Sequence, residues 1–185
     1  MERSSQMDKK RYKVVVVSDS HGTSQLVKDI EMWNADADLF IHCGDLEDDP
    51  NLFDKWIFVR GNNDFFPGGN MKDERIIRIG EHRIYVTHSH RCSYAGRERQ
   101  LSRIALQNGC DIVCFGHTHC SEICRENGVL LVNPGSTWSP RDGKEPSYAI
   151  LYLEGLQTEA ELVFEPDWPL TPKEEPVRKH RFFHF

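Results

Sequence analysis

Side chains that commonly bind metal ions recur along the first two thirds of this sequence, each shortly after an apolar run. Seven of them stand out: Asp19, His21, Asp45, Asn62, His88, His117 and His119. A mixture of carboxylate, imidazole and amide oxygen suits Mn, Fe or Zn, whereas Mg and Ca prefer ligand sets made of oxygen alone. Seven ligands are too many for one tetrahedral ion, so they predict two divalent ions that share a carboxylate and leave positions open for water and substrate.

The apolar runs that precede these residues predict the strands that position them. Residues 14–17, 38–43 and 55–59 are expected to form buried strands, and a helix is expected from residue 23 or 24 to about residue 32. Strand, helix, strand, crossover and strand together imply a parallel sheet with helices on its faces. Because sites in such sheets lie at the carboxyl ends of the strands, we expect the seven side chains to meet at one edge.

The second half of the chain predicts a largely antiparallel arrangement. Three hairpins are expected, with strands at 75–79 and 83–87, at 120–125 and 129–132, and at 147–153 and 156–164. A helix over 95–108, ended by Gly109, and a buried strand over 111–115 lie between the first two hairpins. His82, in the turn of the first hairpin, is expected to be solvated, and His42, inside a strand, is expected to pack in the core or to support a ligand.

The size and composition predict one soluble domain. The chain has 185 residues and a formal net charge of −6, so nucleic acid held mainly by counterion release is an unfavourable partner. No apolar run approaches the ~20 residues of a membrane span, and the N-terminus lacks the apolar core of a signal peptide, which predicts no membrane partner and a cytoplasmic location. The predicted boundaries are a polar extension over 1–12, one domain over 13–164 and a proline-rich, charged tail over 165–185.

Five short motifs carry a resemblance to a known family. They are Asp19-x-His21, Gly44-Asp45-x-x-Asp48, Gly61-Asn62-Asn63-Asp64, His88-x-His90 and Gly116-His117-x-His119. Each is weak alone, but in this order and at strand ends they resemble the calcineurin-like metallophosphoesterase superfamily over residues 14 to 153. The small size, the sequence T-H-S-H at 87–90 and N-P-G-S at 133–136 are most similar to its compact bacterial and archaeal phosphodiesterases. The resemblance implies an α/β fold, a sandwich of two β-sheets flanked by helices with a βαβαβ core.

The resemblance also implies how the ligands divide. One ion would be held by Asp19, His21 and His119, and the other by Asn62, His88 and His117. Asp45 would bridge the two ions, as the one carboxylate placed to touch both. A hydroxide between the ions would attack the phosphorus of a small phosphoester substrate, in line with the leaving alkoxide. The predicted metal is Mn²⁺, with Fe, Zn and Ni as alternatives. Because compact relatives often form dimers, the resemblance leaves the oligomeric state open, with a homodimer as one candidate.

Position 63 departs from the pattern of many larger members of the superfamily, which carry a histidine there near the leaving group. Asn63 cannot act as a general acid, but it can donate a hydrogen bond to phosphate. His90 is a candidate for substrate contact and for protonating the leaving group, with water or a stable leaving anion as alternatives. Asp64 is expected to orient a neighbouring ligand or its loop. The residues predicted to serve catalysis are therefore Asp45, Asn62, Asp64 and His90, and those predicted to bind substrate are Asn63 and His90.

Three other functions remain open at this point. A phosphomonoesterase or a nucleotide pyrophosphohydrolase would use the same ligands, and the loops at 65–71 and 91–97 would build the pocket that decides between them. A protein-binding scaffold is a different class of function, since a retromer subunit resembles this fold and has lost metal ligands. All seven ligand positions carry competent residues in this chain, which favours an enzyme over a scaffold.

Overall fold

Two five-stranded β-sheets pack face to face in the computed structural model, which describes residues 10–65 and 71–169. In chain order the elements are β1 (Arg11–Val17), α1 (Ser24–Trp33), β2 (Leu39–His42), β3 (Trp56–Phe58), β4 (Glu74–Ile79), β5 (His82–Thr87), α2 (Arg97–Gln107), β6 (Ile112–Phe115), β7 (Ser121–Glu126), β8 (Val129–Pro134), β9 (Ser147–Glu154) and β10 (Gln157–Phe164). Short 3₁₀ turns lie at Pro50–Leu52 and Glu165–Asp167. The predicted α/β class and two-sheet sandwich are confirmed.

Each sheet combines three parallel strands with antiparallel strands, which lie at one edge of the first sheet and at both edges of the second. The first sheet has the order β10-β9-β1-β2-β3, in which β1, β2 and β3 run parallel. The second has the order β4-β5-β6-β8-β7, in which β5, β6 and β8 run parallel. The three predicted hairpins join β4 to β5, β7 to β8 and β9 to β10, and each supplies an antiparallel margin. The parallel strands therefore carry the loops in which the predicted ligands lie.

The apolar run in β1 is buried on both faces because this strand lies at the centre of its sheet. Val14 and Val16 face the second sheet, whereas Val15 and Val17 face Val27 of α1 and its neighbours. Burying a valine side chain completely contributes about 1.5–3 kcal/mol, so the run anchors the strand that precedes the first predicted ligand. Neither helix in the described part of the chain combines the length and apolar character needed to cross a membrane.

The two histidines predicted to be structural have different outcomes. His42 is buried as expected: Gly44 donates its N–H to Nδ1 at 3.2 Å, so Nε2 donates to the Ser20 hydroxyl at 2.9 Å. Burial lowers the pKa of His42 to about 4, which keeps the ring neutral. The prediction that His82 is solvated is wrong, since only 2% of it is exposed and its Nδ1 lies 2.6 Å from Asp111 Oδ2. Parallel pairing of β5 with β6 brings Asp111 alongside the turn and covers the ring.

The predicted terminal segments lie largely outside the described residues, which leave out 1–9 and 170–185. The same applies to the centre of the predicted pocket loop at 65–71, of which residues 66–70 are not described. The domain boundaries at residues 12 and 164 therefore stay predictions.

Candidate metal centre

Three of the predicted ligands meet where β1 and β6 end. Asp19 Oδ1 lies 3.2 Å from His119 Nε2, and His21 Nε2 lies 3.2 Å from the same nitrogen. These three ligand atoms all lie within 4.8 Å of one another. The grouping matches the set that the resemblance assigned to one ion, although 98 residues separate His21 from His119.

A second group forms around His88, which follows β5. His88 Nε2 lies 3.2 Å from Asn62 Oδ1, 3.4 Å from Asp45 Oδ2 and 3.9 Å from Asp19 Oδ1. The His117 ring packs edge-on against His88, with 5.2 Å between the ring centroids. Asp45 was expected to be the one shared carboxylate, but Asp19 also lies between the two groups. The position of β1 between β9 and β2 at the centre of its sheet places Asp19 there.

Backbone and side-chain acceptors fix the orientation of three imidazoles. His88 Nδ1 donates to the Cys43 carbonyl at 2.8 Å, and His119 Nδ1 donates to the Ser139 carbonyl at 2.7 Å. A carbonyl oxygen only accepts hydrogen bonds, so each Nδ1 carries the proton and each neutral ring presents an Nε2 lone pair to the centre. His21 Nδ1 contacts Glu47 Oε1 at 2.6 Å, which selects the same tautomer. Metal-binding histidines are commonly held in this way.

While these rings are neutral, the contacts at the centre bring together atoms that all accept. With Nδ1 protonated, the 3.2 Å contacts of His119 Nε2 with His21 Nε2 and Asp19 Oδ1 join lone pair to lone pair. Asp19 is fully buried, and its Oδ2 accepts from the Ser18 hydroxyl at 2.6 Å and from the His117 N–H at 3.0 Å. Its Oδ1 is buried and has no hydrogen-bond donor among the residues the structure describes. A buried acceptor without a donor is unfavourable, and a cation would satisfy it, so these residues fit a divalent metal.

The acids and imidazoles of the centre also shift one another's pKa in the metal-free protein. Burial alone would raise the pKa of Asp19 and Asp45, but the adjacent histidines outweigh it and hold both below their ordinary value. Burial alone would lower the pKa of His88 and His119, but the same carboxylates outweigh it and raise both. Burial, reinforced by the charge of His88, lowers the pKa of His117 to about 4. Without metal, protons can therefore occupy part of the cation site.

Five of the predicted ligands have a left-handed backbone conformation, with positive φ, which residues other than glycine seldom adopt. Asp19, His21, Asp45, His117 and His119 have φ values of 52°, 44°, 54°, 76° and 58°. A non-glycine residue in this region is disfavoured by about 1–3 kcal/mol. Hydrogen bonds between loops compensate, including Asp19 N–H to the Gly44 carbonyl and His21 N–H to the Asp45 carbonyl, both at 3.0 Å. Such outliers cluster where function demands a particular geometry.

Asp64 and Asn63 both hold Asp45. Asp64 Oδ2 accepts from the N–H groups of Asp45 and Gly61, each at 2.8 Å, and its Oδ1 accepts from the Glu47 N–H. This is the loop-orienting contact expected of it. Asn63 donates its backbone N–H to Asp45 Oδ1 at 2.8 Å and its side-chain amide to Oδ2 at 2.9 Å. The sequence suggested a substrate contact for that amide, which stays a prediction, and gave no sign of the bond to Asp45.

His90 lies beside the second group. Its ring centroid is 5.5 Å from that of His88 and 6.2 Å from that of His117. Its Nδ1 is buried and has no hydrogen-bond partner within residues 10–65 and 71–169. Burial, together with the charge of His88, lowers the pKa of His90. The ring thus stands next to the predicted ligands, and its role stays a prediction.

Glu47 and Ser136 support the centre, and the sequence reasoning assigned neither of them a role. The sequence sign that could have revealed Glu47 is its place inside the second motif, two residues after Asp45 and directly before Asp48. Ser136, in the N-P-G-S segment, donates its hydroxyl to the Asp19 carbonyl at 2.7 Å and accepts the N–H of Ser139 at 2.9 Å. It therefore positions both the predicted ligand Asp19 and the carbonyl that orients His119.

Glu47→Gln is expected to weaken metal binding by about 10- to 100-fold, the usual effect of removing a partner that orients a metal-binding histidine. The amide keeps the size of the side chain but loses the charge that fixes the His21 proton on Nδ1. Titration of metal-free protein with Mn²⁺ would measure the change. Glu81→Gln, in the exposed turn after β4, is the matched control and should bind as the parent does. Equal affinity in all three proteins would show that Glu47 does not orient His21.

Taken together, a two-sheet sandwich with imidazoles and carboxylates gathered at the ends of its parallel strands is the architecture of the metallophosphoesterase fold. The model of the calcineurin-like phosphoesterase superfamily domain matches residues 12–155. The chain belongs to this superfamily, as its motifs predicted.

Individual relatives agree with this assignment. The chain is 40% identical over 149 residues to the probable metallophosphoesterase YsnB of Bacillus subtilis, covering 76% of this chain and 84% of the relative. It is 28% identical over 144 residues to the phosphodiesterase MJ0936 of Methanocaldococcus jannaschii, covering 66% and 82%.

Among solved structures, a predicted phosphoesterase from Streptococcus pneumoniae superimposes with a TM-score of 0.78 at 27% identity, covering 89% of this chain and 95% of the other. Vps29 of Chaetomium thermophilum shares the fold, with a TM-score of 0.65 at 17% identity over 82% of this chain and 97% of the other.

Proposed function

We propose that this protein is a phosphodiesterase that uses two divalent metal ions. The observation that carries the proposal is the convergence of acceptor atoms in two groups. His119 Nε2, His21 Nε2 and Asp19 Oδ1, which has no donor within residues 10–65 and 71–169, form one group, and His88 Nε2 with its oxygen neighbours forms the other. The superfamily is one of metal-dependent phosphoesterases, and the relative MJ0936 is named a phosphodiesterase. Both support a hydrolytic role for the centre.

The proposed ligands divide as the resemblance implied. Asp19, His21 and His119 would hold one ion, and Asn62, His88 and His117 would hold the other. Asp45 would contact both, and the position of Asp19 beside His88 lets it support the second ion as well. When bound, two such ions would polarise the phosphoryl oxygens and supply a hydroxide nucleophile. Mn²⁺ is the proposed metal, with Fe, Zn and Ni as alternatives, since carboxylates suit Mn and imidazoles suit Fe, Zn and Ni.

The chain's own residues would prepare the site for this chemistry. Asn63 and Asp64 hold the Asp45 carboxylate and its backbone in place, and Cys43 and Ser139 hold two imidazoles through their carbonyls. His90 would face a phosphoryl oxygen or the leaving group from beside His88 and His117. Preorganised groups of this kind contribute most where charge develops in the transition state.

Phosphodiester hydrolysis is expected to depend on added transition metal and to decline at low pH. Histidine binds metal only when neutral, and because the carboxylates raise the pKa of His88 and His119, protons compete with metal to a higher pH than at a free imidazole. Activity should therefore recover as the pH rises through that range. The measurement is the initial rate of metal-stripped protein reloaded with Mn, Fe, Zn, Ni or Mg across a pH series. Full activity after exhaustive chelation would contradict the proposal.

Comparing three substrates in the same assay distinguishes a phosphodiesterase from the other candidate functions. A bis-aryl phosphodiester, an aryl phosphomonoester and a nucleoside diphosphate should be compared at equal concentration, with turnover of the diester expected to dominate. Dominant turnover of either other substrate would assign a phosphomonoesterase or a pyrophosphohydrolase to the same ligands. A protein-binding scaffold predicts no turnover of any of them, and the filled ligand positions favour the enzyme.

A further inference from the structure

Arg97, the first residue of α2, is a buried cation beside the second group of ligands. Only 3% of its surface is exposed, and no carboxylate within residues 10–65 and 71–169 lies within 4.0 Å of its guanidinium. Nη1 makes two hydrogen bonds, one to the Ser89 carbonyl at 3.0 Å and one to the Ser89 hydroxyl oxygen at 2.6 Å. A buried charge without an opposite charge is unfavourable, so the two hydrogen bonds to Ser89 help to stabilise the guanidinium here.

Ser89 connects this guanidinium to two loops that carry predicted ligands. It is the residue between His88 and His90, and its own φ is 71°. Its hydroxyl accepts from Arg97 and donates to the Gly116 carbonyl at 3.0 Å, 27 residues further along the chain. The residue after Gly116 is His117, whose φ is 76°. A single relay from Arg97 through Ser89 to Gly116 therefore ties two strained loops together.

The relay reaches one half of the centre more directly than the other. Ser89 directly follows His88 and Gly116 directly precedes His117, and both of these histidines belong to the second group. The first group is held by different partners, since Glu47 contacts His21 and the Ser139 carbonyl accepts from His119. The distribution of contacts is thus asymmetric between the two predicted ion positions.

We propose that Arg97 is a positioning residue that, through Ser89, sets the spacing of His88 and His117 and thereby the affinity for the second ion. The inference rests on the proposed two-ion site. One guanidinium nitrogen of Arg97 donates to both the carbonyl and the hydroxyl of Ser89. Ser89 therefore cannot leave its left-handed backbone conformation without breaking a hydrogen bond. The planar, always charged guanidinium suits this fixed double contact.

The test compares Arg97→Met with Arg103→Met, which alters an exposed arginine of the same helix. Metal-free proteins are titrated with Mn²⁺ and the number and affinity of bound ions are measured. Wild type and Arg103→Met should bind two ions. Arg97→Met should bind the first ion like wild type and the second about 10- to 100-fold more weakly, as expected for loss of a ligand-orienting partner. Arg97→Lys, which keeps the charge, should restore part of the second affinity.

Ser89→Ala tests the same relay with a smaller change, and it keeps the inference testable if Arg97→Met does not fold. It removes the hydroxyl but leaves the Ser89 carbonyl, so the second affinity should fall less than in Arg97→Met. Adding Ser89→Ala to Arg97→Met should weaken binding little further, because both changes break one relay. Unchanged binding of two ions in both single variants, or equal weakening of both ions, would overturn the role of Arg97 and leave the proposed function intact. A wild type that binds no second ion would overturn both.

Discussion

Asp45→Asn is expected to lose nearly all phosphodiesterase activity and most of its bound metal. Its ligand atom lies within 4.8 Å of Asp19 and His88 in one group and of His21 and Glu47 in another, so its negative charge acts on both predicted ions. The amide removes that charge without changing the shape of the side chain. Loss of either ion would also remove the nucleophile, because lowering the pKa of water to near neutrality requires the bound metal. Metal content and initial rate measure the two losses together.

Asn63→Ala is the matched comparison, since it weakens the hold on Asp45 without removing the carboxylate. The side-chain amide bond to Oδ2 is lost, but the backbone N–H of residue 63 still donates to Oδ1. We therefore expect it to retain its metal and to lose about 10- to 100-fold in activity, as for other partners that orient a ligand. If Asn63→Ala released metal as completely as Asp45→Asn, the distinction between the ligand and its support would be wrong at this loop.

Gly61→Ala is expected to disrupt both the fold and the metal site. A Cβ at this position would lie 2.0 Å from Asp45 Oδ1 and 2.3 Å from the Asp45 nitrogen. Rotation of the side chain cannot relieve a clash with a backbone atom, so the loops of Gly61 and Asp45 would have to separate. That movement would break the contacts through which Asp64 joins them. We expect a loss of about 3 kcal/mol or more in the free energy of unfolding, at the upper end for overpacking.

Gly143→Ala controls for the effect of adding a methyl group to a loop glycine. Apart from its two chain neighbours, no atom of the described residues lies within 4 Å of a Cβ there, so the change is resisted by its φ of 75°, which is worth about 1–2 kcal/mol. It should keep its metal. Urea unfolding of the metal-free proteins and metal analysis of the loaded ones would make the comparison. Gly61→Ala as stable and as metal-rich as Gly143→Ala would show that the two loops are not held at this distance.

The elements that position the predicted ligands could be predicted because each is encoded locally. The strand expected over 111–115 is observed at Ile112–Phe115, and the helix expected over 95–108 is observed at Arg97–Gln107. Apolar runs mark buried strands and turn residues mark their ends, and both signals lie within a few neighbouring positions. The order of the motifs was equally visible, and it identified the superfamily.

The sequence by itself thus determined the types and order of the predicted ligands and the strands that they follow, because these depend on residues close together in the chain. Tertiary structure decided which groups orient them. The carbonyls of Cys43 and Ser139 set two histidine tautomers, yet a backbone carbonyl is present at every residue and leaves no mark in a sequence. Pairing of β5 with β6 buried His82 against Asp111, 29 positions away. Arg97 binds Ser89 only eight residues away, but the Ser89 hydroxyl reaches the Gly116 carbonyl, 27 positions along the chain, because β5 and β6 pair.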